Sequence, residues 1–311
     1  MSTAVVSPAA APAPVAVRRG RVWLNWRLVT GVVVIVAIFS LGIAGRIFVS
    51  QDKALIGAND VNVVPRFFQK ADPALGFRPN EPGHLLGTDS QGRDMLAVIV
   101  VGAPRTLYVG VLGAALGVLV GVVLGFLAGF RRGVTDTVIT TGTDVALTIP
   151  GLAVLVVLAS VFSGLSLTLL ALVMALFAWP IPTRVIRGQV LSMRDLGYVR
   201  MAVLSGFSAP RIMFREVLPN LMPYVAATFT STMAGIILAV TGLETLGLAQ
   251  TRLPTLGSTV NNALQQTAVF RGMWWWWGPP VVVLVIIFMA FFLILLGLDE
   301  VANPRLRKAG A

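Results

Sequence analysis

The sequence predicts an all-α integral membrane protein: six transmembrane helices, with a cytoplasmic loop that carries short helices of its own. Three observations lead there. Hydrophobic residues make up 56% of the 311 residues and charged residues only 12%, about half the charged share of a soluble domain, and mean hydropathy is +0.85. The apolar residues gather into six runs near the ~20 residues needed to cross a ~30 Å hydrocarbon layer. The basic residues behind the net charge of +11 fall mainly on one side of those runs, as cytoplasmic loops require. That distribution accounts for the charge without invoking nucleic acid, the partner it would suggest for a soluble chain.

The tail through residue 22 is rich in Ala, Pro and Val and is expected to be disordered. Arg18, Arg19, Arg21 and Arg27 precede the first apolar run, Leu28–Val49. That run is too long for a signal-peptide core and lacks a small-residue cleavage site, so it reads as a retained anchor. Residues 23–104 then form the first helix and a charged outer loop, in which His84 to Asp94 (HLLGTDSQGRD) reads as a turn and helix start capped by Thr88 or Asp89. Residues 105–308 form a five-helix core built on Leu107–Phe130, Val138–Phe162, Leu165–Ile181, Met222–Leu243 and Pro279–Leu298. Only Ser163 and Gly164 separate the third run from the fourth, which implies a tight hairpin. With the N-terminus inside, 15 of the 24 basic residues lie in cytoplasmic segments and 8 in outer loops, with Arg46 at a span edge. Both termini and the 184–220 loop are therefore expected to be cytoplasmic.

That loop reads TRVIRGQVLSMRDLGYVRMAVLSGFSAPRIMFREVLPN from Thr183. Leu196, Val199 and Val203 make one apolar stripe of a first short helix. Gly206 supplies the left-handed residue that ends it. Ser208 caps a second helix with Pro210 in its first turn, and Met213, Phe214, Val217 and Leu218 form its apolar face. Pro219 is expected to block continuation into the next span. Such a pair either lies on lipid headgroups or docks onto a partner.

The segment resembles the EAA loop of ABC-importer permeases. Arg200-Met201-Ala202 occupies the Glu-Ala-Ala positions, Gly206 the glycine, and Glu216-Val217-Leu218-Pro219 the Ile-x-Leu-Pro ending. His84 to Asp94, Arg187-Gly188-Gln189-Val190-Leu191-Ser192, Leu218-Pro219-Asn220 and the closing Asn303-Pro304-Arg305-Leu306-Arg307 are similar to segments of the C-type permease of dipeptide, oligopeptide and nickel importers. The likeness runs from Trp23 to Lys308. It implies a permease subunit of a binding-protein-dependent importer in the bacterial cytoplasmic membrane, working by alternating access. It also implies a second, homologous permease chain, two cytoplasmic ATPases that bind ATP and Mg, and an extracytoplasmic solute-binding protein. The coupling residues it marks are Arg200, Met201, Ala202, Gly206, Phe207, Ser208, Leu218, Pro219 and Asn220. Arg200 and Glu216 depart from the family pattern, and Arg200 is expected to meet an acid on the ATPase. Peptides are the expected cargo, with oligosaccharides or metal chelates as alternatives.

No lysine follows a glycine, so the chain has no phosphate-cradling Gly-Lys-Ser/Thr loop and is not expected to hydrolyse ATP itself. Without Cys, and with His84 as the only histidine, no metal site or nucleophile–base pair is expected. Gly113, Gly117, Gly121, Gly125 and Gly129 recur every four residues. They form a ridge for close helix packing or the floor of a conducting groove. Trp274 to Trp277 suit a headgroup-level girdle, and Trp275 and Trp276 could instead offer a stacking surface to sugar rings. Asp144 is expected to pair near the cytoplasmic boundary. Glu244 reads as a water-exposed helix end or as a contact for a peptide amino terminus. An ion-coupled secondary carrier is the rival class, but it would call for embedded charge pairs and repeated spans.

Overall fold

A segment that crosses lipid must satisfy its own backbone hydrogen bonds, which leaves this apolar chain with helices as its spanning elements. The computed structural model describes residues 25–66, 72–79, 83–161, 166–248 and 254–302. Helices α1 (Trp26–Phe48), α2 (Met95–Arg131), α9 (Leu218–Thr245) and α11 (Trp274–Ala302) are long and apolar enough to span. The third and fourth spans are bent pairs: α3 (Val134–Thr148) with α4 (Gly151–Val161), and α5 (Leu167–Ala178) with α6 (Pro180–Met193). Six spans result. Short helices α7 (Gly197–Leu204) and α8 (Ala209–Ile212) sit on one face, and α10 (Leu256–Gln265) sits at the other. The two faces are called here the loop face and the cap face. The N-terminal tail, the Ser163–Gly164 hairpin and the Asn303–Arg307 motif lie outside the described residues.

Prolines account for the two bends. Pro150 has no N–H and pushes Ile149 into an extended conformation (φ −76°, ψ 120°), and the axis turns by 64°. At Pro180 the preceding Trp179 stays helical (φ −75°, ψ −27°), and the turn is a milder 44°. The fourth span consequently does not end at Ile181, because α6 carries helix on to Met193 through what the sequence suggested was loop.

Helix α2 also starts upstream of its apolar run. Its cap is Asp94, whose Oδ1 accepts from Ala97 N at 3.0 Å, rather than Thr88 or Asp89. Thr88 is occupied elsewhere, accepting from Val63 N and donating to Asp60 O. Asp89 is ion-paired with Arg93 at 2.6 Å. Pro104 sits inside α2 because Gly42 of α1 leaves a notch for its ring. Gly45 makes a similar notch for Val100, and Gly297 of α11 one for Leu28.

The α2 ridge is a packing surface. A Cβ at Gly117 would lie 2.6 Å from Ala178, and one at Gly125 would lie 2.8 Å from the Thr183 carbonyl and 3.0 Å from Arg187 N. Gly113 meets Ala171 and Ile236, Gly121 meets Pro182, and Gly129 meets Val190. The ridge therefore follows α5 and α6 across their bend and leaves no groove. On the cap face, Ala54, Val64, Phe77, Met95, Met273, Trp275 and Trp276 form a separate buried cluster, folded over the start of α2 and α11.

Gly125→Val should be destabilised by about 1–3 kcal/mol, because the methyls meet backbone that cannot give way. Gly142→Ala, with nothing within 4 Å of the added carbon, should be neutral or gain up to about 1 kcal/mol. Thermal unfolding of the two purified variants in detergent measures the contrast.

Candidate functional site

Two regions collect features beyond packing: the α7–α8 elements on the loop face, and a cavity among the bent spans.

Helix α7 ends where Gly206 takes φ +72°. Gly206 N donates to Val203 O, and Phe207 N donates to Ala202 O. Ser208 holds the N-cap position of α8 in an extended conformation, though its side chain makes no capping hydrogen bond, and Pro210 falls in the first turn. The stripe that anchors α7 differs from the expected one. The helix begins only at Gly197, with Leu196 as its extended cap and Val203 turned outward. Val199 faces inward as that stripe required, and Ala202 joins it, in a cluster with Phe126, Ile186, Val190, Ile212, Val217 and Leu221. In α8 and the turn after it, Ile212 and Val217 are the buried residues, and Phe214 is exposed.

Pro219 does not interrupt the chain. Met213–Val217 widens into a π-type turn in which Leu218 N donates to Met213 O, and Pro219 falls in the first turn of α9. The wider turn shifts the hydrogen-bond register by one residue, which accommodates the missing N–H and the ring. Asn220 Nδ2 donates to Glu216 O at 2.8 Å and to the Tyr198 hydroxyl at 3.3 Å, tying the foot of α9 to α7. The Arg211 guanidinium lies 3.8 Å from the centre of the Phe207 ring.

The outward side of α7 is apolar. Met201 is 63% exposed and Leu204 81%, with Tyr198, Val203 and Phe214 also open. Beside them the Arg200 side chain, 66% exposed, finds its carboxylate in its own chain, at Asp195 3.6 Å away. Arg132 and Arg194 also approach Asp195, at 3.7 and 3.8 Å. An acid from a partner is thus not needed to pair Arg200. Such exposed pairs contribute at most ~1 kcal/mol each. Two further ion pairs hold α3 to α6, of which only Arg187–Asp136 is largely shielded from solvent. Arg187 donates to both oxygens of Asp136 at 2.6 and 2.8 Å, and Arg184 to Asp144 at 2.5 Å. Asp144 is therefore paired as expected, while Asp136 gave no signal in the sequence.

The cavity, about 490 Å³, lies between α4, the α5–α6 bend and α9. Gly151, Phe177, Ile181, Ser231, Thr232 and Gly235 line it, and no charged side chain does. Both proline breaks border it. The sequence reading passed over these residues, although Ser231, Thr232 and Gly235 form a small, polar break in an apolar run.

The residues expected near a pathway lie elsewhere. Glu244 is only 1% exposed, so it is not a water-exposed helix end. It faces the start of α10, where Gly257 leaves room for its carboxylate. Thr255 and Ser258 stand beside it but cap each other, Ser258 N donating to Thr255 Oγ1 and Thr255 N to Ser258 Oγ. Neither carboxylate oxygen has a hydrogen-bond partner among the described residues. Trp275 and Trp276 are fully buried. Trp275 Nε1 donates to Thr88 O at 3.0 Å, and its ring meets Phe77 edge-on. Buried rings offer no stacking surface, and these two join the outer segment to α11.

Trp275→Phe should lower the unfolding temperature by an amount equivalent to about 1–3 kcal/mol, because it leaves the Thr88 carbonyl buried without a donor. Circular dichroism melts of the detergent-solubilised chain would register the loss.

With this geometry in hand, the chain can be compared with known proteins. Residues 121–308 match the family described as binding-protein-dependent transport system inner membrane component. The oligopeptide transport system permease protein OppC of Lactococcus lactis subsp. lactis is 29% identical over 241 residues, covering 77% of this chain and 78% of the relative. The dipeptide transport system permease protein DppC of Haemophilus influenzae is 29% identical over 192 residues, 61% of this chain and 65% of that one. Among solved structures, the inward-facing MetNI methionine ABC transporter superposes with a TM-score of 0.52 at 17% identity, over 68% of this chain and 97% of the other. That likeness concerns the fold.

Proposed function

Because the chain belongs to the family of binding-protein-dependent transport system inner membrane components, we propose that it is the permease subunit of an ATP-driven importer of dipeptides or oligopeptides. The relatives named for those cargoes support the choice. In this reading the loop face and both termini are cytoplasmic, in keeping with the excess of Arg and Lys there. A homologous permease chain completes the pathway, and a solute-binding protein delivers cargo at the cap face. Two ATPase subunits bind ATP and Mg²⁺ and dock on α7.

One observation carries the proposal. Helix α7 turns Met201 and Leu204 outward while Val199 and Ala202 lock it into a core shared with α2, α6 and α9. A rigidly seated helix with an apolar outer side is suited to receive a push and pass it to the spans. Met201, Ala202, Gly206, Phe207, Ser208 and the Leu218-Pro219-Asn220 foot serve this docking and its shape, and Arg200 rests against Asp195. The cavity fits a pathway wall. Its uncharged lining and two hydroxyl-bearing residues favour weak contacts with varied peptides, as a route open in turn to each side requires.

Leu204→Asp should weaken capture of the ATPase subunits by roughly 10- to 100-fold, the equivalent of about 1.5–3 kcal/mol of lost leucine burial. Co-purification with the permease tests it. In proteoliposomes containing the complete transporter, Gly235→Phe should reduce peptide uptake severalfold by filling the cavity, with ATPase binding unchanged. Uptake driven by an ion gradient without any ATPase subunit would replace the proposal with a secondary carrier.

A further inference from the structure

A small crevice of about 120 Å³ opens between the loop-face end of α2 and the α8 turn. Val123, Phe126, Phe130, Pro210 and Met213 are among its apolar walls, and Arg131 is the only charged residue lining it. It is distinct from the docking patch, which lies on the outward side of α7 before the Gly206 turn. Leu119, Val120 and Val123 are exposed along one side of the α2 span and lead toward this crevice. Within a bilayer such a stripe faces hydrocarbon.

The segments that form the crevice carry an excess of positive charge, with Arg131 lining it and Arg211 and Arg215 close in sequence to its wall residues. Arg131, Arg211 and Arg215 are all exposed, and none has an acidic partner among the described residues. Their neighbour Arg132, by contrast, is committed to Asp195. Arg211 follows the wall residue Pro210, and its guanidinium is steadied over Phe207. An apolar strip that ends beside guanidinium groups without an acidic partner has the complementarity of a phospholipid with net negative charge. Guanidinium groups bind phosphate through paired N–H donors, and basic pockets between spans hold anionic heads for the same reason.

We propose that this crevice binds an anionic phospholipid of the surrounding leaflet. Arg131 and Arg211 take its phosphate, and an acyl chain lies along Val123, Val120 and Leu119. The lipid then braces the α8 turn against α2, next to the start of α9. Only the added consequence for coupling rests on the function proposed above. The binding itself does not.

The test uses the complete transporter complex purified from mixed bilayers of phosphatidylglycerol and phosphatidylcholine, with retained lipids counted by native mass spectrometry. The wild type should keep phosphatidylglycerol in preference to phosphatidylcholine. Arg131→Gln and Arg211→Gln should each lower that retention about fivefold, the weight of one basic residue at an anionic surface. Arg131→Lys should keep most of it, which separates loss of charge from loss of fold. Val123→Trp should also lower retention while leaving every charge in place. Millimolar inorganic phosphate should not displace the lipid. Equal retention of the two lipids would overturn the proposal, as would wild-type retention by Arg131→Gln or displacement by phosphate alone. So would an Arg131→Gln complex that sheds its ATPase subunits but keeps its lipid, because the arginine would then belong to a protein interface. None of these readings depends on which cargo is transported.

Discussion

Close contact between α2 and the bent α5–α6 pair is the constraint on which the rest of the structure depends. In lipid there is little hydrophobic drive to hold helices together, so packing distance carries the association. The glycine ridge from Gly113 to Gly129 brings the backbone of α2 against Ala171, Ala178, Thr183 and Arg187 in turn. That contact fixes the path of α6 beyond its bend. The placement of α6 in turn positions Ile186 and Val190, which with Phe126 form the seat for Val199 and Ala202 of α7. The cavity has the same origin, because its walls are the two spans that the prolines bend away from straight. The seat of α7 and the cavity are thus consequences of one interface.

The sequence made the spans legible because apolar runs of the right length, divided by charge, leave few alternatives in a membrane. The ends of the spans were harder to read. Asp94 begins α2 well before its apolar run because a cap and a buried outer segment support the extra turns. The bend at Pro150 is readable in principle, since a proline inside an apolar run marks a kink or break. The continuation of α6 to Met193 is not, because polar residues on a helix that leaves the bilayer look like loop. Pro219 misled for a related reason. A missing N–H is costly only where the local register demands it, and a widened turn removes the demand.

The candidate site shows the same division. Gly206 and Ser208 were legible because each has a local conformational role, and both take the expected conformations. Of the stripe expected in α7 only Val199 is buried, and Ala202 rather than Leu196 or Val203 joins it, since a stripe rotates with the residue at which its helix starts, and that start is set by tertiary contacts. Glu244 and the tryptophans misled because composition near a span end suggests exposure. Ala54, Val64 and Phe77 from the connection between α1 and α2 pack over the tryptophans, and residues so distant in sequence leave no periodic signature. The Arg200–Asp195 pair lies within five residues and could have been read, had a partner been sought in the turn just before the same short helix rather than on another chain.

The wide turn at Met213–Val217 has one more consequence. Because the helix continues through it, Ala209 to Thr245 forms one unbroken helical stretch of 37 residues, about 55 Å long at 1.5 Å per residue. Its foot is tied to α7 through Asn220 and Tyr198, and its far end carries Glu244 against α10. Such a rod is a lever, with the glycine-packed middle of α2 as its fulcrum. With the pivot near the middle of the rod, a tilt of only about 5° moves the distal tip by roughly 2 Å, enough to open a van der Waals contact.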